Sequence, residues 1–318
     1  MAPRRPATGT MPAVGRAFPV RRVVVLLVVQ LAVLAALALW WTTSDGAGSH
    51  RAASVATPAA RTHRFDAARA LATVRLQLAA GQRPAGSPQL RRVATELRAR
   101  LPHGAFEDVA GHPGLRNVVG ELPGAGPAIV VGAHYDTEYH PKGFVGANDA
   151  AAAVGTVVEI ARALGRIHRP AGAPAIRFVL FDGEEEPHPT NDFYADALRG
   201  SKAYANAHAA ATRAMILLDY MGNRGVRLPR EGSSTPALWR RVRAAAARAG
   251  AAAVFPPARE VPIIDDHAPF LRAGVPAVDL IDWSYPVKDT VEDTYDQLSA
   301  AAIDAVGETV VELLRTWR

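Results

Sequence analysis

Five short apolar runs alternate with helical patterns along this 318-residue chain, and four of the five stop at an acid or a histidine. The runs, residues 117–122, 128–133, 176–181, 215–218 and 277–281, read as buried strands. Helical patterns precede them at 65–80 and 89–101, and separate or follow them at 150–164, 196–210, 236–249 and 301–317. Such alternation covers both faces of a sheet with helices, so the expected fold class is α/β, a three-layer α/β/α sandwich with a mostly parallel mixed sheet. Ligands of these sheets bind beyond the carboxyl ends of the strands. The sequence places His134 and Asp136 after 128–133, and Asp182, Glu184, Glu185 and Glu186 after 176–181. Asp219 follows 215–218 and Asp282 follows 277–281.

One apolar block stands outside this pattern. Residues 23–41, VVVLLVVQLAVLAALALWW, are interrupted only by Gln30, and about 20 such residues cross a bilayer as a helix. The 22 residues before it carry Arg4, Arg5, Arg16, Arg21 and Arg22 and no acid, which places the N-terminus in the cytoplasm and the rest outside. The expected organisation is a basic tail at 1–22, a single-pass anchor at 23–41, a linker at 42–62 and one folded domain at 63–318. The competing reading is a cleaved signal peptide and a secreted domain, although a signal's apolar region usually runs only about 7–15 residues.

The formal net charge is +6, but five positive charges lie in the tail, so the body is close to neutral and carries no nucleic-acid footprint. The chain has no cysteine, which excludes disulfides, thiolate metal ligands and a cysteine nucleophile. Any metal must be held by His, Asp or Glu.

The one-residue spacing of His134 and Asp136 points both side chains to one side of an extended segment, as a metal ligand and its orienting partner require, or as a capping pair would. Asp149 opens the 150–164 helix, either as an N-cap or as an acid at the same rim as His134. Glu184, Glu185 and Glu186 are adjacent carboxylates that a cation would reconcile; a solvated acidic loop is the alternative. Asp219 ends an apolar strand and calls for a partner. Asp265, Asp266 and His267 sit in apolar surroundings, more polar groups than a turn needs. His103, His112, His140, His168, His188 and His208 read as surface residues.

The order HYDT, GANDAAAAV, FDGEEE, LLDYMG and IIDDHAPFLRAGVP resembles the zinc exopeptidase family that includes di-zinc aminopeptidases and glutaminyl-peptide cyclotransferases. The similarity covers residues 83–317, and FDGEE, LRGSKAYA and the Asp265–Asp266 pair resemble the cyclotransferase branch. By motif the resemblance implies Zn2+ ligands at Asp149 and Glu185, a proton-transfer role for Glu184, and an acidic hydrogen-bond network with Asp219 and Asp265. His134 joins Asp219 as a ligand if a second metal binds, with Asp136 and His267 in support. The last ligand of the family is a histidine in Trp-His-Thr; here Lys288-Asp289-Thr290 takes its place, so Asp289 is the expected ligand and the preceding aromatic is lost.

The resemblance implies peptide or protein N-termini as substrates and one zinc ion, or two. The leading expectation is cyclisation of N-terminal glutamine. Hydrolytic removal of the N-terminal residue is the alternative. A catalytically degenerate, metal-free binding domain is the third, motivated by Asp289.

Overall fold

The structure is a computed structural model that describes residues 60–318. The tail at 1–22, the span at 23–41 and nearly all of the linker lie outside the described residues. Among the described residues no helix is long and apolar enough to cross a membrane.

Two helices, α1 (Ala67–Leu78) and α2 (Pro88–Arg98), open the domain. Asp66 caps the first by accepting from the amides of Ala68 and Arg69, and Ser87 caps the second with Pro88 behind it, so both starts are written locally. Strands β1 (Ala105–Asp108), β2 (Arg116–Leu122) and β3 (Ala128–His134) follow. A π-helical turn at Ala147–Ala152 leads into α3 (Ala153–Leu164), then β4 (Ile176–Phe181), the short α4 (Phe193–Asp196) and α5 (Arg199–His208). The chain continues through β5 (Thr212–Asp219), α6 (Pro236–Ala249), α7 (Ala268–Arg272), β6 (Ala277–Ile281) and α8 (Ala300–Arg315).

The strands form one six-stranded sheet in the order β1-β2-β4-β3-β5-β6. Strands β4, β3, β5 and β6 are parallel, and β1 and β2 are antiparallel additions at one edge. Alternate residues divide the core between the faces, as a two-residue period demands. Ile129, Val131, Phe178, Leu180, Ile216 and Leu218 face α1, α2, α3, α6 and α8. Val130, Val179, Phe181, Met215 and Leu217 pack with Tyr204 of α5 and Phe270 of α7 on the other side. Burying each large apolar side chain contributes about 1.5–3 kcal/mol, and the two clusters fix the sheet between helix layers.

Two expectations need correction. The edge strand β1 went unseen because AFED has no buried residue to reveal a period. The helix expected from residue 150 starts at Ala153, and Asp149 does not cap it: its backbone is non-helical, at φ −111° and ψ 91°.

Strand β3 lies between β4 and β5, so the connections leaving it diverge. That divergence opens a crevice at the carboxyl ends of β4, β3 and β5, the place such sheets reserve for ligands.

Candidate active site

Five segments meet at that crevice, those after β3, β4, β5 and β6 and the one that leads into α7. After β3 the backbone turns at Gly146 in the left-handed region, φ +57°, where an added Cβ would stand 1.8 Å from the Asp149 carbonyl oxygen. The turn delivers Asp149 into the site, and two distant residues hold it there. The Asp293 carboxylate accepts from the amides of Asn148 at 3.0 Å and Asp149 at 3.1 Å. The fully buried Arg83 guanidinium donates to the carbonyls of Tyr135 (3.2 Å), Val145 (2.6 Å) and Gly146 (3.3 Å). Burial draws the pKa of Arg83 down to about 10, against the pull of Asp149 and Asp136.

After β4, Gly183 (φ +79°) makes a turn whose space is filled by Leu115 and Arg199. The Arg199 guanidinium donates to the Gly183 carbonyl at 3.1 Å and the Glu185 carbonyl at 2.6 Å. The amides of Glu184 and Glu185 donate to the two oxygens of the buried Asp136 at 3.2 and 3.3 Å. Asp136 thus fixes the paired glutamates and also faces His134 Nδ1 at 3.6 Å.

His134 turns Nε2 toward Asp149 Oδ1 at 2.9 Å and Asp219 Oδ1 at 3.6 Å. Among the described residues three buried groups have ligand atoms within 4.8 Å of one another: His134–Glu184–Glu185 and His134–Asp149–Asp219, which share His134, and Asp265–His267–Asp279 behind them. Asp149, Glu184, Glu185, Asp219 and Asp265 are all between 3% and 8% exposed, and no lysine or arginine lines their pocket. Burial pushes Glu184 and Glu185 well above the usual carboxylate range and Asp219 to about 7. Burial alone would lower His134, but Glu184 first and then the carboxylates of Asp136, Asp149 and Asp219 around its ring raise it well above its ordinary value. Glu185 Oε1 and His134 Nδ1 are buried without a hydrogen-bond partner. An oxygen-rich set with one imidazole and this excess of negative charge suits zinc, whose ligands are His, Asp and Glu where cysteine is lacking.

Asp289 lies outside all three groups, exposed at the lip with φ +59°. It reaches the site through Tyr220, whose hydroxyl lies 2.6 Å from Asp289 Oδ1 and 2.8 Å from Asp149 Oδ2. Lys288 does not line the pocket; its ammonium sits 3.7 Å from the centre of the Trp283 ring and donates to the Trp283 carbonyl at 3.2 Å. Trp283 does line it, so an aromatic stands at the wall although residue 288 is not one.

Behind Asp265, His267 is fully buried, with Nε2 at 2.7 Å from Ser233 Oγ and Nδ1 at 3.6 Å from Asp279 Oδ2. Asp279, unremarked in the sequence, comes within 4.8 Å of Asp265 and His267, and both its carboxylate oxygens are buried without a hydrogen-bond partner. Asp282 serves structure instead, accepting from Asn223 and the Arg227 amide, both at 3.1 Å. Asp182 likewise accepts from the Arg116 amide at 3.0 Å. His208, expected at the surface, is half-buried between Glu107 at 2.9 Å and the ring of Tyr204.

Sequence reasoning also missed Arg83, Glu138, Tyr220 and Asp293. All four fall within residues 83–317, which the resemblance already covered, and Tyr220 within LLDYMG, so the resemblance marked the region without the roles.

Sheet topology and site together define an α/β protein with a buried acidic cluster, fit for a cation, at the carboxyl ends of parallel strands. The chain belongs to peptidase family M28, whose model matches residues 117–314. It is 28% identical over 232 residues to the glutaminyl-peptide cyclotransferase of Bothrops jararaca, a match covering 61% of this chain and 63% of that protein. The chain thus spans less than two thirds of the length of the curated relatives it matches. The crystal structure of an Acidobacteriales bacterium glutaminyl cyclase superposes with TM-score 0.71 and 28% identity, covering 81% of this chain and 97% of that one. A leucine aminopeptidase precursor from Bacteroides thetaiotaomicron superposes with TM-score 0.72 and 26% identity, covering 81% and 100%.

Proposed function

We propose that the protein is a zinc-dependent glutaminyl-peptide cyclotransferase, converting N-terminal glutamine of peptides to pyroglutamate with release of ammonia. The observation that carries this reading is Glu184: a buried carboxyl beside the ligand candidate Glu185, facing Asp265 across a pocket of about 130 Å³. An engineered cavity of about 150 Å³ accommodates benzene, so this one has room for a single terminal side chain. The similarity to glutaminyl cyclases of known structure supports the same reading.

Asp149 and Glu185 would hold the zinc; the motif adds Asp289 as a third ligand, and taking that role would require it to displace the Tyr220 hydroxyl that now stands between it and Asp149. Bound there, zinc supplies Lewis-acid polarisation of the glutamine side-chain carbonyl. Glu184 accepts a proton from the α-amino group as its nitrogen bonds to the side-chain amide carbon. The carbon–nitrogen bond of the amide then breaks, and Glu184 returns the proton to the departing ammonia. No water is consumed. Burial and the charges of Asp265 and Asp266 hold the Glu184 pKa high, against His134, which suits a group that must both take and give a proton. Asp265 and Asp219 keep that proton local.

Aminopeptidase chemistry is the second reading, favoured by the His134–Asp149–Asp219 group, which could hold a second cation next to the first. Ammonia release from glutamine-initiated peptides, measured beside leucine release from leucine-initiated ones and zinc content of the full chain, separates the readings. Ammonia without free amino acid supports the cyclase; leucine release overturns it. Absence of zinc and of both products, restored by Asp289→His, would identify a domain that has kept the site and lost the catalyst.

We also place the catalytic domain outside the cytoplasm on a single-pass anchor at residues 23–41, a reading supported by the apolar run and the basic tail. Protease added to intact cells should remove the domain and leave the tail protected.

A further inference from the structure

Tyr220 follows Asp219 at the end of β5 and puts its hydroxyl between two carboxylates, 2.8 Å from Asp149 Oδ2 and 2.6 Å from Asp289 Oδ1. A hydroxyl carries one proton, so only one of these contacts is its own hydrogen bond, and the other calls for a second proton or a cation. Donation to Asp289 leaves the oxygen's lone pairs for a cation shared with Asp149. Glu185, whose Oε1 is buried without a partner, lines the same pocket.

The phenol is held there from behind. Tyr220 is buried, and its ring packs with Ile281 and Tyr285 in a small cluster against which Ile263 and Val287 lie. Among the described residues four that are not glycine have positive φ, and Tyr220 (+40°) and Asp289 (+59°) are two of them. Bulky residues seldom adopt such backbone, and strained residues gather at functional sites; here two meet at one hydrogen bond. A phenol so packed does not swing aside, so a cation on Asp149 either takes the Tyr220 oxygen as a ligand or is shut out by it. The spacing favours the first. Two oxygens that share a zinc ion tetrahedrally at about 2.0 Å stand about 3.3 Å apart, so the 2.8 Å between Tyr220 and Asp149 has to open by only about 0.5 Å. Asp289 does not compete for that place: it is exposed, and its oxygens join none of the three buried groups.

We propose that the Tyr220 oxygen is the third protein ligand of the zinc, beside Asp149 and Glu185, and that Asp289 is the carboxylate that orients it and takes up its proton. The inference rests on the proposed function only for the presence of the metal. As the oxygen–zinc bond forms, the Tyr220 O–H bond breaks, its electron pair stays on the oxygen, and the proton passes to Asp289, 2.6 Å away. A carboxylate behind a ligand, fixing its orientation and raising its basicity, is the arrangement that metal-bound histidines use. Tyr220 thus takes the part of the imidazole that Asp289 replaced. Three protein ligands leave a fourth position open for the substrate carbonyl, as catalytic zinc requires.

The test titrates zinc into the metal-free full chain at neutral pH and follows the ultraviolet difference band of tyrosinate. Zinc affinity is measured by competition with a chelator, and ammonia release from glutamine-initiated peptides alongside. The natural chain should gain a single tyrosinate for each zinc bound. Tyr220→Phe keeps the ring in its cluster and should lose both the band and at least about ten-fold in zinc affinity. Asp289→Asn should bind zinc more weakly yet keep the band, and decides the matter alone where the phenylalanine variant does not fold. Zinc binding by the natural chain without the band, a band that survives Tyr220→Phe, or no zinc binding at all overturns the proposal. So does unchanged or tighter binding by Tyr220→Phe, and loss of zinc and band together in Asp289→Asn would assign the third ligand to Asp289. Tyrosinate on zinc binding without ammonia overturns the cyclase reading and leaves Tyr220 as the ligand; ammonia from the zinc-loaded chain without the band does the reverse.

Discussion

Glu184 and Glu185 are consecutive, yet their surroundings set them different tasks. Apart from His134, the charges that act most on Glu184 are Asp265 and Asp266, whereas Glu185 faces Asp149. Glu184→Gln should therefore lower kcat by about 10²–10⁴-fold with bound zinc retained, as loss of a proton carrier does. Glu185→Gln should release the metal. Elemental analysis beside steady-state kinetics checks both, and parallel loss of zinc in the two variants would refute the division of roles. Deeper still, Asp279 is fully buried and grouped with Asp265 and His267. Burial first, then the charges of Asp265, Asp219 and Glu231, raise its pKa well above the carboxylate range, and its buried oxygens have no other donor to meet. Asp279→Asn keeps a donor and should leave kcat near that of the natural protein. Asp279→Leu removes it and should cost at least about ten-fold in kcat with KM little changed, the weight of a hydrogen bond to a charged acceptor. Equal loss in the two variants would reduce Asp279 to a packing residue.

At the scale of elements, the loop carrying Asp149 shows where local sequence stops deciding structure. GANDAAAAV has the composition of a helix start, yet Asp149 is non-helical because Asp293 and Arg83, remote in the chain, claim its amides and the preceding carbonyls. Arg83→Ala would leave the Tyr135 and Val145 carbonyls without a donor, Gly146 keeping the Ala151 amide, a cost of about 2 kcal/mol or more. It should lower the denaturation midpoint and also weaken zinc binding, because the Asp149 turn loses its brace. A variant destabilised with unchanged zinc affinity would show that Arg83 supports the fold alone. The same distinction explains what was legible in the sequence. Strands at 176–181 and 277–281 emerged to the residue because burial on both faces makes them almost wholly apolar, interrupted only by Arg177 and Asp279. The edge strand β1 did not, having no buried residue. Acids at strand ends announced the site, and His134, Asp149, Glu184, Glu185, Asp219 and Asp265 all reach one pocket. Asp282 announced itself in the same way and caps a loop, since a strand-end acid reads alike whether it meets substrate or an amide. Arg83, Tyr220, Asp279 and Asp293 act across long sequence separations and left no local pattern.

For the whole molecule, the concentration of buried carboxylates makes stability depend on pH in an unusual direction. Burial lifts Asp182, Asp219 and Glu138 to about 7, and Glu184 and Glu185 well above their ordinary values. Unfolded, these groups titrate near about 4. Between about pH 4 and 7 the native state therefore binds more protons than the unfolded one, and stability falls as pH rises through that window. Glu231 has the opposite sign: burial would raise it, but its bond to His267 holds it at about 2, so its contribution is lost only on acidification below about 4.5. It leaves the range from pH 5 to 8 untouched. The metal-free protein, kept in chelator, should consequently melt higher at pH 5 than at pH 8, by roughly 5 °C or more at about 2–4 °C per kcal/mol. Zinc replaces protons among the same carboxylates, so its stabilising effect should be largest at pH 8 and should fade toward pH 5 as protons compete. Scanning calorimetry at four pH values with zinc or chelator tests both halves together. A metal-free melting temperature that rises from pH 5 to pH 8 would mean that the carboxylates are relieved by something other than protons or a cation, and would count against the metal site itself.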